Sequence, residues 1–181
     1  SVNTSANATF NIDFTPIAVG TRTATLTYST NDPNNSTFVV NLYGVGNGLA
    51  SEPTAQATAL TFPLNKTFRI KGQFNTASPS VDALGGYLIL RKNSGAVTDV
   101  PVDGVTYQKG QYIGTSQVVF AGPITSATGA FSPAFIRASM TYGFAIFTYN
   151  GSGPVTNYNT TSPLVGSVTT PFSMMPTTEY S

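Results

Sequence analysis

Ile136-Arg137-Ala138-Ser139-Met140-Thr141-Tyr142-Gly143-Phe144-Ala145-Ile146-Phe147-Thr148-Tyr149-Asn150-Gly151-Ser152-Gly153 is the stretch that decides the fold. Tyr142, Phe144 and Ile146 recur at every second residue, so an extended backbone projects them to one face. Asn150-Gly151-Ser152-Gly153 then breaks the run with residues that favour a turn. The period is that of a strand.

The same rhythm appears elsewhere. In Arg22–Tyr28, Ala24, Leu26 and Tyr28 alternate with Thr23, Thr25 and Thr27. In Thr37–Tyr43, Phe38, Val40 and Leu42 share a face. Asn31-Asp32-Pro33-Asn34 between them reads as a tight turn, with Pro where its fixed φ helps. No long segment shows a 3.6-residue period, so the expected class is all-β, a sandwich of short strands.

Composition allows a core and narrows the chemistry. Leu, Ile, Val and Phe total 44 of 181 residues against a net charge of +1, which separates the chain from disordered sequences. Only 8% of residues are charged; Thr (28), Ser (17) and Asn (14) supply the polarity, and Thr suits a pleated surface. The 8 Lys and Arg are scattered singly, so no nucleic acid partner is expected. No run approaches the roughly 20 apolar residues of a membrane helix, so no membrane insertion is expected.

The chain has no His and no Cys. Ser-His-Asp and Cys-His nucleophile systems are excluded, as are zinc sites built from His or Cys. Five Asp and two Glu remain as acids. Of the aspartates, only Asp99 and Asp103 are close in sequence, and both lie in a Pro/Gly-containing loop. A catalytic pair there, with Asp82 as a third member, is weighed against solvated turn carboxylates. Asp99 and Asp103 are also weak calcium candidates, although their spacing matches no EF-hand loop. No catalytic residue and no cofactor are expected.

Tyr107, Tyr112, Tyr149 and Tyr158 fall in loops or next to turns and are the candidate ligand-binding residues, since exposed rings can stack on sugar faces. The alternative is that they cover the edge of the core with the hydroxyl in water. The Asn-x-Ser/Thr triplets at Asn3, Asn7, Asn34, Asn35, Asn65, Asn150 and Asn159 are read as products of a Thr- and Asn-rich composition.

Gly44, Gly46 and Gly48 alternate just before Ser51-Glu52-Pro53-Thr54, a shift that marks a boundary. The expected organisation is a partial β unit over 1–48, a linker over 49–53, a sandwich over 54–171 and a C-terminal linker over 172–181 that contains Met174, Met175 and Pro176.

The segment Ile136–Gly153, with Gly86–Lys92 as a C strand and Val100–Tyr107 as a long insertion, resembles the fibronectin type III modules of large exported proteins of Bacteroidota. The resemblance implies a buried residue at Ile136 and a tyrosine corner at Tyr142. It also implies that Phe68, Ile70 and Phe74 fill the space of an absent B-strand Trp, and that Ala138-Ser139 replaces the usual Pro-Gly of the E–F corner. Phe10–Pro16, Gly20–Leu26, Asn31–Asn34 and Val40–Gly46 resemble the last three strands of immunoglobulin-like repeats of the choice-of-anchor or ASH type, whose leading strands would lie upstream.

Together these imply an immunoglobulin-like or fibronectin type III-like β-sandwich preceded by a partial Ig-like unit. The function implied is a non-catalytic spacer or adhesion-type module of a larger secreted or cell-surface protein, alongside other domains of the same chain. The alternative is a carbohydrate-binding module, with polysaccharide or a surface protein as partner. Residues 8–46, with free strand edges, are expected to pack on the second unit or pair with another chain.

Overall fold

The structure, a computed structural model, describes residues 9, 11–14, 19–77 and 84–172. Asp82, Met174, Met175, Pro176, Asn3 and Asn7 lie outside the described residues. The chain divides into two compact units, Ser1–Gly48 and Leu49–Ser181.

In the first unit, Gly20–Ser29 (β1) and Thr37–Gly46 (β2) form an antiparallel hairpin in unbroken register. Ala24, Leu26 and Tyr28 stand opposite Leu42, Val40 and Phe38, which gives one apolar face. A side chain and the backbone fix the turn: Asp32 Oδ1 accepts the Asn34 N–H at 2.8 Å, and the Thr30 N–H donates to the Ser36 carbonyl at 2.8 Å. The resemblance implies a third strand upstream. Among the described residues only β1 and β2 pair here; 11–14 form no ladder, and Phe10, Thr15 and Pro16 lie outside the described residues.

The second unit is a sandwich of two antiparallel sheets. One contains Thr58–Lys66 (β3), Arg69–Asn75 (β4) and Thr128–Phe131 (β8), in that order. The other contains Gly86–Asn93 (β5), Tyr112–Ile113 (β6), Ser116–Gly122 (β7), Thr141–Asn150 (β9), Asn157–Tyr158 (β10) and Leu164–Thr169 (β11). Its order is β10-β9-β5-β7-β6, with β11 continuing the edge beside β9. Lettered as an immunoglobulin-type sandwich, β3, β4 and β8 are strands A, B and E. The second sheet is G, F, C and C′. This is the fibronectin type III arrangement, and no α-helix occurs among the described residues.

Ile70, Phe74, Tyr87, Ile89, Phe131, Tyr142, Phe144 and Ile146 form the core between the sheets. The corner expected at Tyr142 is present: its hydroxyl accepts the Arg137 N–H at 2.7 Å, and Ile136 is buried. Ser139 takes a left-handed φ of 51°, a region that Gly enters without steric cost. Phe68 does not fill the missing Trp space. It is exposed at the β3–β4 turn, and Ile70, Phe74 and Phe131 occupy the core of that sheet.

Two further expectations change. The alternation in β9 anticipates one buried face, yet Gly143, Ala145 and Phe147 are buried too. Residues 94–111 cross the outer face of the G-F-C-C′ sheet. Val97, Tyr107 and Ile113 pack there on a second core of Leu88, Leu90, Val118, Ala145, Phe147 and Tyr158. Each large apolar side chain covered this way contributes about 1.5–3 kcal/mol. Gly143 is required by the crossing: any Cβ there would meet the Gly95 carbonyl.

Residues 49–53 have the composition of a linker but are fastened to the sandwich. The Ala50 N–H donates to Val155 O at 2.8 Å. The side-chain amides of Asn157, Asn150 and Asn159 donate to the carbonyls of Ala50, Ser51 and Pro53, each at 2.8 Å. The bonding partners come from more than 90 residues away, so local composition does not reveal them.

Candidate functional site

The chemistry-bearing residues of the second unit gather on and beside the insertion. Asp99 does not stand free in solvent. One of its oxygens accepts from Ser116 Oγ at 2.7 Å, Thr115 Oγ1 at 3.0 Å and the Thr115 N–H at 3.2 Å. It thereby caps the two-residue β6–β7 turn, in which Gly114 has a φ of 54°. These bonds, the Ser116 hydroxyl foremost, hold the carboxyl below its ordinary range. Asp103 Oδ1 accepts the Tyr158 N–H at 2.8 Å. Both carboxylates therefore hold the insertion in place. Among the described residues no three His, Cys, Asp or Glu side chains gather as a metal would require.

Of the four candidate tyrosines, three come together. Tyr158, read as a loop residue, is in β10 and only 3% exposed. Its ring lies 5.3 Å from that of Tyr149 and 6.0 Å from that of Tyr107, tilted by 54° and 52°. Tyr149 is in β9. Two hydroxyls are spent on the fold: Tyr158 donates to Val105 O at 3.0 Å, and Tyr107 accepts the Val102 N–H at 3.1 Å. The Tyr149 hydroxyl has no hydrogen-bond partner among the described residues. Burial, then the neighbouring phenols of Tyr149 and Tyr107, pushes the Tyr158 phenol well up; burial alone raises that of Tyr149.

These three rings, with Thr106, Ser152 and Pro123, wall a cavity of about 260 Å³. Glycines open it: a Cβ on Gly85 would press on the Tyr149 ring and the Gly151 carbonyl. Tyr112 is not part of this cavity. It is 64% exposed and, with Val105, Thr106, Tyr107 and Gln111, lines an adjoining depression of about 300 Å³. The two share Thr106 and Tyr107, so they flank one short segment of the insertion. No lining residue of either is charged.

Sequence reasoning named the tyrosines but not Thr106, Ser152 or Pro123. It also missed Arg91, which is 5% exposed and has no ion-pair partner among the described residues. Its guanidinium donates to Ala134 O at 2.6 Å and Gln117 Oε1 at 2.8 Å and lies 5.5 Å from the centre of the Tyr142 ring. Its register with Tyr87 and Ile89 on β5 is the signal that could have placed it inward.

No protein-family model matches this chain. No curated protein matches it either. Among solved structures, it is similar to the fibronectin type-III domain of human fibronectin type III domain containing protein 3, at 17% identity and a TM-score of 0.44, over 74% of this chain and 99% of that one. The fold given above stands on strand order and register: A-B-E against G-F-C-C′, closed by a tyrosine corner.

Proposed function

We propose that this chain is a non-catalytic structural and interaction segment, working in series within a longer secreted or cell-surface protein. The observation that carries the proposal is the path of the chain through the second unit. It enters beside Asn150 and leaves beside Thr141, the two ends of β9. Ten residues at ~3.3 Å each put those points about 30 Å apart. Both are fastened. Asparagine amides hold 50–53, and at the far end Thr170 Oγ1 donates to Arg137 O at 2.6 Å and accepts the Met140 N–H at 3.0 Å. A module gripped at opposite ends holds its neighbours apart and passes tension between them.

The lack of imidazole and thiol supports the non-catalytic part, as does the use of Asp99 and Asp103 as structural acceptors. The extracellular setting, the Bacteroidota lineage and partnership with other domains of the parent chain are supported by the sequence resemblance. The test is force spectroscopy on the full chain, tethered at its two ends. The second unit should release in one cooperative step of about 40 nm, from roughly 120 residues at ~3.5 Å each. Gradual extension with no such step would overturn the in-series reading. Turnover of glycoside or ester substrates, abolished by Asp99→Asn or Asp103→Asn, would overturn the non-catalytic one.

A further inference from the structure

We infer that the cavity walled by Tyr107, Tyr149 and Tyr158 is a binding site for one pyranose ring of a neutral polysaccharide. Three properties of the cavity point there together. Its volume, about 260 Å³, lies just under the roughly 300–1,000 Å³ of sites for drug-sized ligands, so it suits a single ring. Its walls are aromatic, and rings offer apolar faces to the C–H face of a sugar. Its lining has no charge to recognise a phosphate, sulfate or carboxylate.

The free polar groups refine the ligand class. The side chains of Thr106, Ser152 and Tyr149 have no hydrogen-bond partner among the described residues. All three are hydroxyls, each able to donate and to accept. A sugar hydroxyl does both in return. A run of prolines, another occupant of aromatic-lined grooves, offers carbonyl acceptors only and leaves half of that capacity unused. Tyr107 already commits its hydroxyl to the insertion, so its ring is held still, and Tyr158, nearly fully buried, backs the site as its floor. Fixed rings lose little entropy on binding.

The adjoining depression at Tyr112 extends the site. Because both hollows share Thr106 and Tyr107, a chain lying across that segment reaches both. The inference deepens the interaction-module reading and rests on it.

The test uses the full chain with five probes: cellohexaose, xylohexaose, mannohexaose, hexagalacturonate and decaproline. The chain has no Trp and nine Tyr, three of them in the cavity, so tyrosine emission detects binding and amide NMR shifts at Tyr149 and Ser152 locate it. At least one neutral hexaose should bind and shift those amides. Ser152→Trp plugs the mouth from an exposed rim position and should abolish binding with the melting temperature unchanged. Tyr149→Phe keeps the ring and should weaken binding a few-fold. Tyr112→Ala should weaken the hexaose and spare the corresponding disaccharide.

A hexaose that binds Ser152→Trp as well as the parent chain overturns the site. Preference for hexagalacturonate or decaproline overturns the ligand class, and so does binding of no probe. Shortening of a bound hexaose would leave the site standing and sink the non-catalytic reading, so the two failures are distinct.

Discussion

Gly129 on β8 stands directly opposite Phe74 on β4, and the Phe74 ring occupies the space a Gly129 side chain would need. Two residues along, the arrangement is reversed, with Gly72 beneath the ring of Phe131. Each ring covers a glycine on the neighbouring strand and pins the register of the smaller sheet. Gly129→Ala is expected to cost about 1–3 kcal/mol, as overpacked cores do. The check is a lower urea midpoint at unchanged m value. An unchanged midpoint would mean that Phe74 has room to swing aside and does not fix the register.

Tyr142→Phe keeps the ring in the core and removes only the acceptor of the Arg137 N–H. A partly buried donor left without a partner costs about 1–3 kcal/mol. Equilibrium urea unfolding should show that loss, and hydrogen exchange should show faster opening at Arg137. Exchange there that stays at the parent rate would deny the corner a stabilising role.

Asp99 gives stability a pH dependence on the acid side. Its folded value lies below the ordinary 3.8, with the Ser116 hydroxyl the largest cause. A depressed carboxyl contributes in full above its unfolded value and loses that contribution as pH falls through the folded one. Urea midpoints should therefore decline below about pH 4. Asp99→Asn should flatten that decline and lower the midpoint at neutral pH. Parallel acid limbs in the two proteins would assign the decline to other groups.

On the alkaline side the sign reverses. Tyr87, Tyr149 and Tyr158 are all raised above the ordinary 10.0, each chiefly by burial. Their protonated forms belong to the fold. Their contribution is whole below 10 and is lost as pH climbs through the raised folded values. Absorbance titration at phenolate wavelengths should show the phenols of Tyr87, Tyr149 and Tyr158 ionising late, together with unfolding. Ionisation of these three phenols near 10 in the folded chain would contradict their burial.

The strands were legible because their signal is local. Arg22–Tyr28, Thr37–Tyr43 and Tyr142–Ile146 alternate within a few residues, and Asn-, Gly- and Pro-rich stretches close them. Tyr142 was legible as a corner through the resemblance that Ile136–Gly153 carries. Phe68 was not legible as exposed, because an aromatic one residue into a turn reads like an aromatic in a strand. The clamp on 49–53 depends on Asn150, Asn157 and Asn159, about a hundred residues downstream, and no window of sequence contains both halves.

The candidate tyrosines divide in the same way. Sequence position put Tyr107, Tyr149 and Tyr158 beside turns. Only the crossing of the insertion over Gly143 turns that edge into a walled cavity, with Tyr158 as its floor and Tyr112 left outside. Asp99 and Asp103 were legible as neighbours along the chain, but their partners, Ser116 and Tyr158, come from other strands.

Taken alone, the amino-acid order determined that this chain builds sheets and lacks the imidazole and thiol of common catalysts, because both facts are carried residue by residue. The tertiary structure decided which rings meet, which acids are spent on holding loops and where an uncharged hollow opens. Those outcomes depend on contacts between segments tens of residues apart, formed only when two sheets and an insertion close on one another.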